Sequence, residues 1–73
     1  MTEGEYRVGI DFNPGKNELV NKIKRAAADL IDLVNAMEVP ASEEVDRLKH
    51  LATMHIEDAA MWAVKAATKP LPR

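Results

Sequence analysis

Ala59-Ala60-Met61-Trp62-Ala63-Val64-Lys65-Ala66-Ala67-Thr68-Lys69 holds the only tryptophan of the chain, a run of small residues and two lysines bracketing a threonine. Read as a helix, it places Ala59, Ala63 and Ala66 on one face at i, i+4, i+7, and Met61, Val64 and Thr68 on another about a third of a turn away. The alanines let a partner backbone come close, so Ala59, Ala63 and Ala66 are expected in a tightly packed core. Trp62 supplies the largest apolar surface in the chain and a donor on its indole nitrogen. Lys65, Thr68 and Lys69 suit either a solvated face or the binding of an anion.

The same helix reaches back to Ser42, a good cap, with Glu43, Glu44 and Asp46 in its first turns where the dipole favours negative charge. Its inner stripe reads Val45, Leu48, Ala52, Ile56, Ala59, Ala63, Ala66, and a second stripe reads Leu51, Met54, Met61, Val64. Pro70 and Pro72 end it near Thr68. Upstream, Pro40 disfavours helix at Val39 and breaks the pattern over Glu38–Ser42. Before that break, Leu19, Val20, Ile23, Ala27, Leu30, Ile31 and Val34 predict a first helix over about 14–37, with Asn13 as its cap and Pro14 in its first turn. Two long helices joined by so short a turn must lie antiparallel. The expected fold is all-α, a two-helix hairpin. One partner helix covers one stripe, so the second stripe on the later helix predicts a homo-oligomer, unless the N-terminal arm covers it within one chain. In that arm Tyr6, Val8, Ile10 and Phe12 alternate with Arg7, Gly9 and Asp11, the period of an extended segment over 6–12, with a short helical turn as the alternative. Met1–Glu5 reads as polar and loose.

Seventy-three residues make one domain, residues 1–73, and a chain this short buries little surface by itself. It has no cysteine, so association with further copies is the remaining source of burial. No long apolar run and no basic-then-apolar leader occurs, which excludes a membrane-spanning reading and makes the cytoplasm the expected compartment. The net charge of -2 conceals a segregated distribution. Folding about Pro40 gathers Arg7, Lys16, Lys22, Lys24, Arg25, Lys65, Lys69 and Arg73 against Asp11 and Glu18 at the open end, a net of +6. Residues 26–59 hold two basic residues against eight acidic ones, a net of -6. Lys22 and Lys24 are expected opposite Glu57 and Asp58, which would neutralise part of the cluster.

The open end therefore outlines an anion receptor. The first helix, opening after Asn13-Pro14-Gly15, adds backbone N–H groups and its dipole there, which suits phosphate. Tyr6 beside Arg7 offers a flat face for a base and a guanidinium for a phosphate. A phosphate-bearing ligand with a base fits better than a nucleic acid polymer, because the patch is small and further aromatics are lacking. Catalytic constellations are poor: Ser42 reads as a cap, His55 as a packed residue, and His50 and His55 at i, i+5 share no metal-binding face. The expectation is a non-enzyme with no cofactor and no metal.

Phe12-Asn13-Pro14, then Ile23-Lys24 with Ala27, Leu30, Ile31 and Asp32, and the run Ala60 to Lys69 together resemble the hairpin domain shared by bacteriophage anti-CBASS sponges and the related anti-Thoeris sponges. The resemblance covers residues 6–69. It implies a non-enzymatic protein whose helical protomers assemble into a hexamer in the cytoplasm of the infected bacterial host, sequestering cyclic oligonucleotide messengers such as cGAMP so that CBASS effectors stay inactive. It further implies a cyclic dinucleotide gripped between two protomers by a stacking tyrosine and a first-helix lysine. Here these are Tyr6, the one tyrosine, and Lys24, with Lys22 as its competitor. For a separate cyclic trinucleotide site near the threefold, the resemblance points to Arg47, Lys65 and Thr68. A second reading, from the charge alone, is a small oligomeric adaptor whose basic end binds an acidic protein or nucleic acid.

Overall fold

The computed structural model describes residues 1–72; Arg73, counted above with the basic end, lies outside the described residues. Three helices follow one another, α1 (Glu3–Val8), α2 (Glu18–Asn35) and α3 (Glu43–Ala67), and no strand occurs among the described residues. α2 and α3 form the antiparallel hairpin. Val20 near the start of α2 shares a cleft with Val64 near the end of α3, and Val34 near the end of α2 shares one with Val45 at the start of α3.

The N-terminal arm is helical through Val8 and a turn over 9–11, which corrects the extended reading of 6–12 in favour of the short helical alternative. Thr2 and Glu5 form a reciprocal capping box: the Thr2 hydroxyl accepts from the Glu5 N–H at 3.1 Å and the Glu5 carboxylate accepts from the Thr2 N–H at 2.8 Å. Gly9 then ends the helix at φ 64°, with its N–H bonded to the Tyr6 carbonyl and that of Ile10 to the Glu5 carbonyl. This is a Schellman stop, and glycine takes the left-handed position without strain. Met1–Glu5, read as loose, thus contains the cap and the first half of α1.

α2 begins four residues later than the expected start because Asn17, not Asn13, is its cap. The Asn17 carboxamide accepts from the N–H groups of Leu19 and Val20 at 2.8 and 3.2 Å. Asn13 instead closes the preceding turn, accepting from the Asn17 N–H and donating to the Asn17 carbonyl and the Asn21 side chain. Lys16 in this turn stands at φ 49°, a left-handed conformation costing a residue with a Cβ about 1 kcal/mol. Ser42 caps α3 as expected, accepting from Val45 N–H at 3.0 Å.

The core is thin. Val20, Lys24, Ala28 and Ile31 of α2, Thr53 and Ala60 of α3, and Gly4 of α1 are buried. Ala59 and Ala66 are exposed and Ala63 half-buried, which corrects the inner stripe expected of α3. The cause is α1, which lies on α2 and also touches α3: Val8 shares a cleft with Ala60, Met61 and Val64, and Arg7 reaches Glu57 at 3.6 Å. α3 therefore turns Ala60 inward, between two neighbours rather than toward one. Trp62 remains 62% exposed, as do Met61 and Leu48 to a similar degree. The chain extends 51 × 24 × 12 Å with a radius of gyration of 14.1 Å, against about 11 Å for a compact chain of this length. It exposes 5718 Å², where a compact monomer of its mass would expose about 4,500 Å². No helix among the described residues is long and apolar enough to cross a membrane.

Candidate ligand-binding site

Three contacts hold α1 on α2. The Gly4 N–H donates to the Asp32 carboxylate at 2.8 Å, and Gly4 packs so closely on Ala28 that a Cβ there would lie 2.1 Å from the Ala28 carbonyl oxygen. Arg25 donates to Glu5 at 2.8 Å while also meeting Asp29 at 2.9 Å. The Arg25 guanidinium, followed by the Thr2 N–H, holds the Glu5 carboxyl down to about 2, and the two carboxylates raise Arg25 in turn. Finally the Lys24 ammonium donates to the Gly9 carbonyl at 2.9 Å and to the Phe12 carbonyl, fixing the turn after α1.

On this docked helix Tyr6 is 75% exposed. The fold thus orders the backbone of α1 and leaves its aromatic ring in solvent. Ile10, Asn21, Lys22, Arg25, Ala26 and Asp29 line an open groove of about 610 Å³, and Tyr6 is not among its lining residues. Lys22 is exposed there, whereas Lys24 is buried with its ammonium engaged by main-chain oxygens. Glu57 is met by Arg7, and no ion pair joins Lys22 or Lys24 to Glu57 or Asp58 among the described residues, a correction of the expected neutralisation.

A second cleft, of about 580 Å³, opens between the turn before α2 and the end of α3, and it brings Lys24, Thr68 and Lys69 together with Phe12 and Asn13. Arg7 and Lys24 share a third, smaller one of about 230 Å³. The first amides of α2 point here less usefully than expected, since Asn17 already caps them. Thr68 donates its hydroxyl to the Val64 carbonyl at 2.8 Å. Lys65 lies over the Trp62 ring, 5.3 Å from its centroid, a cation–π contact. Arg47 is remote from all of these, paired with Glu44 at 2.7 Å near the hairpin tip, which lowers the Glu44 carboxyl and raises Arg47. Arg25, Asp32 and Gly4 were not singled out from sequence for the site. The Thr2-to-Glu5 capping-box spacing was the signal for α1, and through it for these three partners.

The family model for the Acb2/Tad1 hairpin domain matches residues 4–68, which takes in α1 from Gly4 on, the tyrosine and the whole hairpin. The chain belongs to the Acb2/Tad1 hairpin family. This is the family of phage anti-CBASS and anti-Thoeris sponges, which bind signalling molecules. No curated protein and no solved structure matches the chain. In this Acb2/Tad1 hairpin the match begins at Gly4, the residue on which α1 docks, and stops before Lys69.

Proposed function

We propose that the protein is a non-enzymatic anti-defence sponge that sequesters cyclic dinucleotides, and cyclic trinucleotides at a separate site, and so blocks CBASS signalling in the cytoplasm of the infected host. The observation that carries this reading is the ordered presentation of Tyr6. The three contacts that fasten this six-residue helix order its backbone yet leave the Tyr6 ring three-quarters exposed. A ring so held is pre-organised to stack on a base. Lys22, exposed in the groove that Arg25 also lines, supplies a cation for a phosphate. Lys24, occupied by two carbonyls, serves that reading by holding the Tyr6-bearing element.

Self-association, in a hexamer, fits the exposed Trp62, Met61 and Leu48 and the surplus of surface. It also bears on the second site. Arg47 and Thr68 lie 21 residues apart on one helix, about 30 Å, so they can serve one ligand only from different protomers. Calorimetric titration with 3′,3′-cyclic dinucleotides, followed by heating the complex and recovering the ligand, tests the function. Heat of binding with intact ligand released is the expected result. Linear products accumulating with time would refute the non-enzymatic reading, and no heat at all would favour the adaptor.

A further inference from the structure

At the hairpin tip, opposite the basic end, Val34, Met37, Val39, Val45, Leu48 and Ala52 line an apolar groove of about 390 Å³. Met37, Val39 and Leu48 are all exposed there, Leu48 by 50%. Residues 34–52 carry Glu38, Glu43, Glu44 and Asp46 against Arg47 and Lys49, a net of -2. Arg47 is taken by Glu44, and Lys49 turns to the Met37 carbonyl at 3.4 Å. Glu38, Glu43 and Asp46 have no ion pair among the described residues. The groove is complementary to an apolar side chain on a basic, extended segment.

Lys69-Pro70-Leu71-Pro72-Arg73 is such a segment, with one large apolar side chain between two prolines and a cation at each end. Leu71 is 89% exposed. Prolines pre-set an extended backbone that loses little freedom on docking, and they need no hydrogen-bond partner for an N–H. The segment lies outside the matched residues 4–68, so nothing in the hairpin domain accounts for it. It cannot reach the groove of its own chain. Leu48 in the groove and Thr68 before the tail lie 20 residues apart along α3, about 30 Å, and four extended residues span at most about 14 Å.

We propose that the tail 69–72 of one copy lies in the tip groove of a second copy, with Leu71 among Met37, Val39 and Leu48 and Lys69 over the acidic rim. The contact joins two different patches, the basic end of one protomer and the acidic tip of the next. It is therefore heterologous, and it orients neighbouring copies head to tail.

Sedimentation equilibrium of the 73-residue chain tests this, with Leu71→Asp and Leu48→Asp as separate variants and a thermal melt of each. Leu71→Asp should weaken self-association at least tenfold while leaving the melt of the dilute protomer unchanged, because the Leu71 side chain is 89% exposed. Leu48→Asp should weaken it comparably, and the double variant should be little worse than either single one. Salt should loosen the wild type more than the variants. The proposal is overturned if Leu71→Asp associates like the wild type, if only one of the two positions matters, or if the wild type sediments as a monomer throughout. Should Leu48→Asp unfold, Leu71→Asp compared with Leu71→Met still decides.

Discussion

Gly4→Ala is the smallest change that should dislodge the element carrying Tyr6. The added methyl would sit 2.1 Å from the Ala28 oxygen and 2.8 Å from both the Ala28 carbonyl carbon and an Asp32 oxygen. All three neighbours are constrained, two of them being backbone atoms in the middle of α2, so α1 must move by about 1 Å to restore ordinary contact. Overpacking of this kind costs about 1–3 kcal/mol. The same shift stretches the 2.8 Å bond from the Gly4 N–H to Asp32, and a hydrogen bond to a charged group contributes about 1.5–3 kcal/mol. Alanine returns about 1 kcal/mol through its better helix propensity. The net loss is roughly 1.5–5 kcal/mol, capped by the free energy of docking α1, since a fully detached α1 has nothing further to lose. Urea denaturation followed by circular dichroism measures the loss, and amide exchange over residues 3–8 reports whether α1 has come away. A variant within 0.5 kcal/mol of wild type, with Gly4 and Tyr6 amides still protected, would refute the close-packing account.

Tyr6→Ala should leave the melting temperature nearly unchanged, given the exposure of the ring, yet weaken cyclic dinucleotide binding about a hundredfold if two protomers each lose a stacking contact of about 1–3 kcal/mol; Tyr6→Phe should bind nearly as wild type, and equal loss for both by titration would sink the stacking role. Lys24→Met should destabilise the fold by about 1.5–3 kcal/mol by abandoning the Gly9 and Phe12 carbonyls, whereas Lys22→Met should spare stability and weaken the ligand; urea melts and calorimetry on the pair separate the two lysines. Glu5 has a depressed folded value, from 4.5 to about 2, so its contribution is fully present above 4.5 and is lost as pH falls through about 2. The stability gap between wild type and Glu5→Gln should accordingly hold constant above 4.5 and close between there and pH 2, and a gap that persists at pH 2 would contradict the Arg25 pairing.

The hairpin was legible from one sequence because its signals are local and strong. Long stripes at helical spacing, Pro40 with Ser42, and the late prolines each act within a few residues, and the two long helices they predict are found, although α3 turns a different face inward than its stripe predicted. The arm was legible too, but through Thr2 and Glu5 rather than through the alternation of Tyr6, Val8, Ile10 and Phe12, since four apolar positions cannot separate a strand from a short helix closed by a glycine. A six-residue helix has no stability by itself, so whether it forms depends on a partner that sequence order does not name. Tertiary packing supplied that partner when Gly4 met Ala28 and Asp32, 24 and 28 residues away. The same contact decided which face of α3 is inner. A hairpin of two helices would bury Ala59 and Ala66; a third helix against α3 rotates the seam so that Ala60 and Thr53 are buried instead. It also decided the role of Lys24, whose ammonium is drawn to two carbonyls that come together only once α1 has ended at Gly9 and the chain has turned back over α2. Charge and periodicity are properties of the chain, readable from residue order, whereas the engagement of each charge depends on distances of a few ångströms that only the packed structure sets.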